Sequence, residues 1–377
     1  MKIAVIGGGP AGLYFSYLMK RDNPNYDIRV IEQNPRDATF GFGVVFSDRA
    51  LEFLRADDED TYRYLTPHME SWPDLKIVHK DEHMAIDGNG FAAIGRLEFL
   101  NLLQTRCESV GVTLQFDTVV QSLDTLSDAD LIVAADGVNS SVRRTHGEAF
   151  QASENQLENP FVWFGTTKLF DSLSLTFRET ADGVFCAHHY RYSPTMSTFI
   201  VETDAATFEK AGFARMSEKE SRTYCEGVFA ADLEGHPLVS NKSEWRWFPQ
   251  IWNERWSSGN IVLLGDALHT AHFSIGSGTR LAMEDAIALY QAMGEHKSDQ
   301  QAALSRYEEI RRPRLEKLVD AAVASAHWYE QMAELMRTLE PYEFARSYMT
   351  RTGRVSDERL QKIAPKFMER YAQHRAS

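Results

Sequence analysis

Lys2-Ile3-Ala4-Val5-Ile6-Gly7-Gly8-Gly9-Pro10-Ala11-Gly12 is the stretch that decides the fold. Four apolar residues run into a glycine turn. Leu13-Tyr14-Phe15-Ser16-Tyr17-Leu18-Met19 then places apolar residues at helical spacing. The pattern G-x-G-x-x-G therefore sits between a strand and a helix, the setting in which it binds a dinucleotide pyrophosphate. Gly7 permits the tight turn, Gly9 lets the backbone approach the phosphates, and Gly12 lets the helix lie on the sheet. Pro10 and Ala11 open that helix, whose first amides and dipole face the anion. A second apolar strand, Ile28-Arg29-Val30-Ile31-Glu32, ends on a carboxylate 20 residues after Gly12. A ribose-binding acid is expected there, with Gln33 beside it.

Two later strands also end on acids. DLIVAADGVNSSVR (Asp130–Arg143) ends its apolar run at Asp136-Gly137. NIVLLGDALH (Asn260–His269) ends at Gly265-Asp266, and Gly276-Ser277-Gly278-Thr279-Arg280 then opens a helix. Ligands of parallel sheets bind at the carboxyl ends of strands. Asp266 is placed to hold polyol hydroxyls. The amides around Gly276, Gly278 and Thr279 are placed to face an anionic ring edge.

The trio Gly7–Gly12, Asp136-Gly137 and Gly265-Asp266, in this order, resembles the flavoprotein aromatic hydroxylases, the group that includes para-hydroxybenzoate hydroxylase. The resemblance implies bound FAD. It implies that Asp136-Gly137 touches FAD and the nicotinamide cofactor, and that Gly265-Asp266 holds the ribityl chain. Arg96 then lies near the FAD ribose and pyrophosphate. Gly43 and Val44 run along the flavin ring, with Val45 at the substrate pocket. Tyr307–Arg314 resembles the helix that follows the Gly-Asp segment. Gly41–Leu54, Phe161–Asp171, Ser197–Glu202 and His269–Ala286 are similar to the flavin halves of aryl-CoA hydroxylases acting on salicylyl-CoA. Part of this likeness extends to the tryptophan hydroxylase of violacein synthesis.

The implied reaction is hydroxylation of an aromatic ring through a C4a-hydroperoxide of the flavin. NADH or NADPH is the transient reductant and O2 the co-substrate. No second nucleotide fingerprint is present, so no separate NAD(P)H domain is expected. With salicyloyl-CoA the attacked carbon is C5, para to the phenol. A proton acceptor near that phenol is expected; the candidates are His272, His188 and Tyr190. Phe273 is expected to wall the pocket. The family's proline after the Gly-Asp segment is missing, and His272-Phe273 stand in its place. A CoA thioester needs cations at the pocket mouth, for which Lys168, Arg178 and Arg191 are candidates. Alternative readings are a hydroxylase of tryptophan or another indole, a flavin-dependent halogenase, and a flavoprotein subunit that needs a partner. Trp245-Arg246-Trp247-Phe248-Pro249 superficially resembles a halogenase signature but is one residue short, and reads as a strand of packed aromatics.

Composition narrows the remaining classes. The chain has 377 residues, so two interlocked domains are expected. Its net charge of −14 argues against nucleic acid or an anionic membrane as partner. No apolar run is long enough for a membrane helix, no signal peptide precedes the first strand, and the three cysteines lack metal-ligand spacing. A cytoplasmic protein without a metal is expected. The fold expectation is α/β: a Rossmann-like FAD-binding domain with an inserted antiparallel β-sheet substrate domain and C-terminal helices. Residues 1–160 and 250–330 are assigned to the FAD domain. Residues 161–249, with strands added from 71–94, form the substrate domain, and 331–377 the helical end.

Overall fold

The apolar strands seen in the sequence assemble into one six-stranded sheet. The computed structural model describes residues 1–376. Lys2–Ile6 lies at the centre, parallel to Asp27–Ile31 on one side and Leu131–Ala134 on the other. Thr113–Gln115 and Ile261–Leu263 extend it in parallel, and Ser257–Ser258 closes one edge antiparallel. Helices Pro10–Asp22, Arg96–Ser109 and Gly278–Glu295 share a core with this sheet. Parallel strands covered this way read as continuous Ile, Leu, Val and Ala. This layer is the floor of the cleft.

The roof is an eight-stranded sheet. Its central strands are Ala152–Thr166, Ser197–Thr203, Val184–Arg191 and Leu173–Glu179, antiparallel in that spatial order. Side chains alternate between its faces. Phe185, Ala187 and Phe199 point into a core with helices Ala205–Ala211 and Glu218–Val228. Cys186, Leu175 and Phe177 point the other way, toward the C-terminal helices. The 31-residue helix Gln300–Glu330 joins the layers: Leu304 and Tyr307 sit in the floor core, Trp328 and Tyr329 in the roof core.

The roof extends beyond the expected 161–249. Ala152–Thr166 runs through position 160, and Arg246–Asn253 pairs with it. The register shifts between Gln156 and Pro160, and such an irregularity is where a sheet tolerates proline. Within 71–94, Leu75–His79 and Glu82–Ile86 join the roof. Phe91–Gly95 instead pairs with Gly43–Ser47 and Glu70–Trp72 in a separate three-stranded sheet. Among the described residues, no helix is long and apolar enough to cross a membrane.

Candidate active site

The floor presents backbone. Gly7 has φ of 107°, and a Cβ there would stand 2.2 Å from the Ala135 carbonyl oxygen. At Gly12 a Cβ would stand 2.2 Å from the Gly7 oxygen, so the helix lies directly on the turn. Helix Pro10–Asp22 has no side-chain cap and no acid in its first turn. The same is true of helix Gly278–Glu295, which begins at Gly278-Thr279. By contrast, Ser47, Asp204, Ser217, Asp299 and Ser356 cap their helices. Uncapped N-termini leave amide donors for an anion.

Three acids surround this floor. Glu32 accepts from the Gly8 amide at 2.7 Å and from the Asn34 amide at 2.8 Å, while Gln33 is exposed beside it. Asp136 accepts from the Ser141 amide at 2.8 Å through Oδ2, and its Oδ1 is buried without a partner. Arg143 ties this loop to the next by donating to the Val138 and Ala267 carbonyls. Asp266 is open to solvent within the cleft, yet the protein around it desolvates its carboxyl and pushes its pKa up. Behind it, Asp285 accepts from the Gly265 amide at 3.2 Å, His269 Nε2 at 2.7 Å and Arg311 Nε at 2.6 Å. Burial opposes that charge, but His269 and Arg311 outweigh it and hold the Asp285 pKa below its ordinary value.

Arg96 is poised across from Asp266. Its guanidinium makes no hydrogen bond with the described residues; burial lowers its pKa while Asp266 pulls the other way. A cleft of about 560 Å³ runs from Gly41 and Phe42 past Arg96 to Asn101 and Tyr192.

The loop before Gly43–Ser47 hangs from the roof by its backbone. The Gly43 amide donates to Thr198 Oγ1 at 2.9 Å, and the Tyr190 hydroxyl donates to the Gly43 carbonyl at 2.9 Å. Asn241 holds the Gly41 carbonyl, and the Arg96 amide holds that of Phe42. Val44 is buried, and Val45 lies 3.3 Å from where a Gly276 Cβ would be.

The roof face above carries a buried polar cluster. His188 Nε2 lies 3.3 Å from Glu202 Oε2, and Asn159 donates to Glu202 Oε1 at 3.1 Å. Glu202 is 1% exposed. Phe273 packs edge-on against His188 at 5.2 Å, and Tyr329 lies 5.1 Å from the same ring. His272 stands at the margin, its Nδ1 2.8 Å from Ser274 Oγ. Burial, with the charges of His188 and Arg351, lowers its pKa to about 4 against the pull of Glu202.

Comparison with known proteins gives this site a context. Residues 111–322 match the family described as FAD binding domain, and residues 5–41 match the NAD(P)-binding Rossmann-like domain. A salicyloyl-CoA 5-hydroxylase of Streptomyces sp is 42% identical over 93% of this chain and 70% of its own. A 3-hydroxy-4-methyl-anthranilyl-[aryl-carrier protein] 5-monooxygenase of Streptosporangium sibiricum is 36% identical, covering 89% and 91%. A protodeoxyviolaceinate monooxygenase of Chromobacterium violaceum is 36% identical, covering 93% and 94%.

The chain belongs to the FAD-dependent aromatic monooxygenases.

Solved structures agree on the fold. The tetrameric form of 2-methyl-3-hydroxypyridine-5-carboxylic acid oxygenase superposes with a TM-score of 0.70 at 17% identity, covering 96% of this chain and 95% of that one. P. aeruginosa PqsL in complex with 2-aminobenzoylacetate gives 0.69 at 19%, covering 88% and 96%.

The monooxygenase has the residues FAD requires. The uncapped helices offer amide donors, and the buried Asp136 Oδ1 and the Arg96 guanidinium make no hydrogen bond with the described residues, a donor and acceptor set that fits phosphates and hydroxyls. Several sequence candidates take different parts. Tyr190 anchors the Gly43 loop, and burial raises its pKa, so it donates rather than accepts. Lys168, Arg178 and Arg191 are held by Glu234, by Asp232 with Asp81, and by Glu70. They are not free cations for a CoA phosphate. Trp245 and Trp247 pack on Phe208, as expected of a strand of aromatics. Glu202, Asn159 and Asp285 escaped the sequence reading. The signal for Glu202 was a lone carboxylate inside Ser197–Thr203, a strand buried at every position.

Proposed function

We propose that this monooxygenase hydroxylates salicyloyl-CoA at C5, the carbon para to the phenol. The observation that carries the reading is the buried His188–Glu202 pair, set against Phe273 on the roof face. A buried carboxylate is costly unless it is paired, and this one holds an imidazole where a ring would lie. His188 takes the phenol proton, which drives electron density to C5. Glu202 sets the imidazole tautomer and stabilises its charged form, and Asn159 holds the second carboxylate oxygen. His272, neutral at pH 7, offers a second polar edge. Phe273, Phe161 and Phe248 wall the site and exclude water.

FAD, when bound, would supply the oxidising chemistry, with NADH or NADPH as reductant and O2 as co-substrate. Glu32, Arg96, Asp136 and Asp266 hold it. Overall, the ring C–H, O2, NAD(P)H and a proton become a ring C–OH, NAD(P)+ and water. The relative named salicyloyl-CoA 5-hydroxylase supports this substrate. A second reading, an indole, is favoured by the violacein-pathway relative. The reducing cytoplasm is the proposed compartment, where the buried thiols of Cys107, Cys186 and Cys225 stay free.

The test is substrate-stimulated NADH and NADPH oxidation with product mass recorded. Salicyloyl-CoA is expected to stimulate and to gain one oxygen atom, while free salicylate and tryptophan do neither. Stimulation by tryptophan or free salicylate alone would overturn the thioester assignment.

A further inference from the structure

The chain carries a net charge of −14, and many of its arginines are held by carboxylates. At one patch several arginines gather without that support. Arg49 lies on helix Asp48–Asp57 and Arg280 in the first turn of Gly278–Glu295. Their guanidinium carbons stand 5.8 and 5.0 Å from the centroid of the same ring, Phe53. Phe53 is 41% exposed, one of few large hydrophobic side chains open to solvent. Arg354 follows helix Pro341–Thr350, and Arg359 lies on Asp357–Ile363. Arg280 is held by Glu284 at 2.6 Å. Arg49, Arg354 and Arg359 make no ion pair among the described residues. The four converge: partial burial, then the charges of Arg49, Arg280 and Arg359, hold the Arg354 pKa below its ordinary value. Arg49, Arg354 and Arg359 are exposed like charges gathered near an exposed ring, and they repel one another while Glu284 answers only Arg280 of the four.

The patch borders the catalytic loops. Ser47 caps the helix that carries Arg49, and Val45, two residues earlier, packs at Gly276. Arg351, three residues before Arg354, donates to the Ser274 carbonyl at 2.9 Å. A molecule reacting in the pocket could therefore leave its charged end on this surface.

We propose that the Arg49–Phe53–Arg354–Arg359 patch binds the phosphorylated adenosine of a coenzyme, with adenine stacked on Phe53 and phosphate on the arginines. Guanidinium groups match phosphate geometry, and an exposed aromatic face stacks on a base regardless of its identity. Two coenzymes share this chemistry: CoA, with a 3′-phosphate, and NADPH, with a 2′-phosphate. The CoA assignment rests on the thioester reading above; the NADPH assignment does not.

The experiment titrates FAD-loaded protein with adenosine 3′,5′-bisphosphate, adenosine 2′,5′-bisphosphate and AMP, by calorimetry. Wild type is compared with the Arg49→Glu/Arg354→Glu double variant and with Phe53→Ala. Flavin absorbance confirms that each variant is folded. One bisphosphate is expected to bind at least about tenfold more tightly than AMP, and the double variant to lose that preference. Phe53→Ala weakens both bisphosphates severalfold. Preference for the 3′-phosphate assigns the patch to CoA, and preference for the 2′-phosphate assigns it to NADPH. Unchanged affinities in both variants, or no preference over AMP in wild type, would overturn the proposal. Turnover of salicyloyl-CoA is a separate readout, so unchanged affinities alongside normal turnover sink the patch and leave the function standing.

Discussion

Glu32 and Glu202 each belong to an apolar β segment, yet they are built to do different things. Glu32, just past its strand, is half-buried and accepts chiefly from backbone, the Gly8 and Asn34 amides. Glu202 is inside its strand, fully buried, and faces only side chains, His188 and Asn159. The difference describes the two layers of the cleft. The floor offers amides left uncovered by missing side chains. The roof supplies side chains that several strands bring to one face. Backbone devices suit a cofactor that is always the same, and side-chain devices suit a substrate pocket.

The comparison breaks most visibly at the floor. Gly12→Val puts a branched side chain where even a Cβ lies 2.2 Å from the Gly7 oxygen. The purified protein is expected to contain no FAD, and full flavin absorbance would refute the assignment of this turn. Asp266→Ala is a milder version of the same cut, and it too is expected to lose flavin.

At the roof, Glu202→Gln keeps the shape but removes the charge that supports His188. FAD content is expected to stay normal while kcat falls roughly 10²- to 10³-fold. The loss should shrink as pH rises and hydroxide deprotonates the phenol directly. An unchanged kcat would remove His188–Glu202 from the chemistry and leave His272 as the base.

The smallest effect separates the two faces of the roof. His189 points away from the site, stacked on Phe199 and bonded through Nε2 to Thr176. Burial lowers its pKa from 6.5 to about 3. The unfolded chain therefore takes up its proton first as pH falls below 6.5, so this histidine costs stability between about pH 6.5 and 3. His189→Phe is expected to flatten the fall of Tm with acid and leave turnover unchanged. A drop in kcat with that variant would mean the faces are not independent.

How much was legible follows from how far apart the partners lie. Gly12 lies against the Gly7 backbone, and the βαβ unit sets the distance of this turn from Glu32, so spacing alone exposes it. Asp285 sits in an apolar helix stretch, Leu281-Ala282-Met283-Glu284-Asp285-Ala286, and only His269 and Arg311 in space show that it anchors the Gly265 turn. Tyr190 reads as a possible base until its hydroxyl is seen on Gly43. Lys168, Arg178 and Arg191 read as free cations until their acids appear.

By itself, the sequence determined the dinucleotide turn, the acids at three strand ends, the α/β class and the flavoprotein hydroxylase family. The turn, the acids and the α/β class rest on backbone geometry, which local spacing and glycine placement dictate; the family rests on the resemblance of these motifs to those of known hydroxylases. Only the tertiary structure decided which histidine faces a carboxylate, which arginines remain unpaired, and how the Gly43 loop is held. Those depend on side chains distant in the chain, and their charges and hydrogen bonds acquire a meaning only once folding sets their neighbours and removes water.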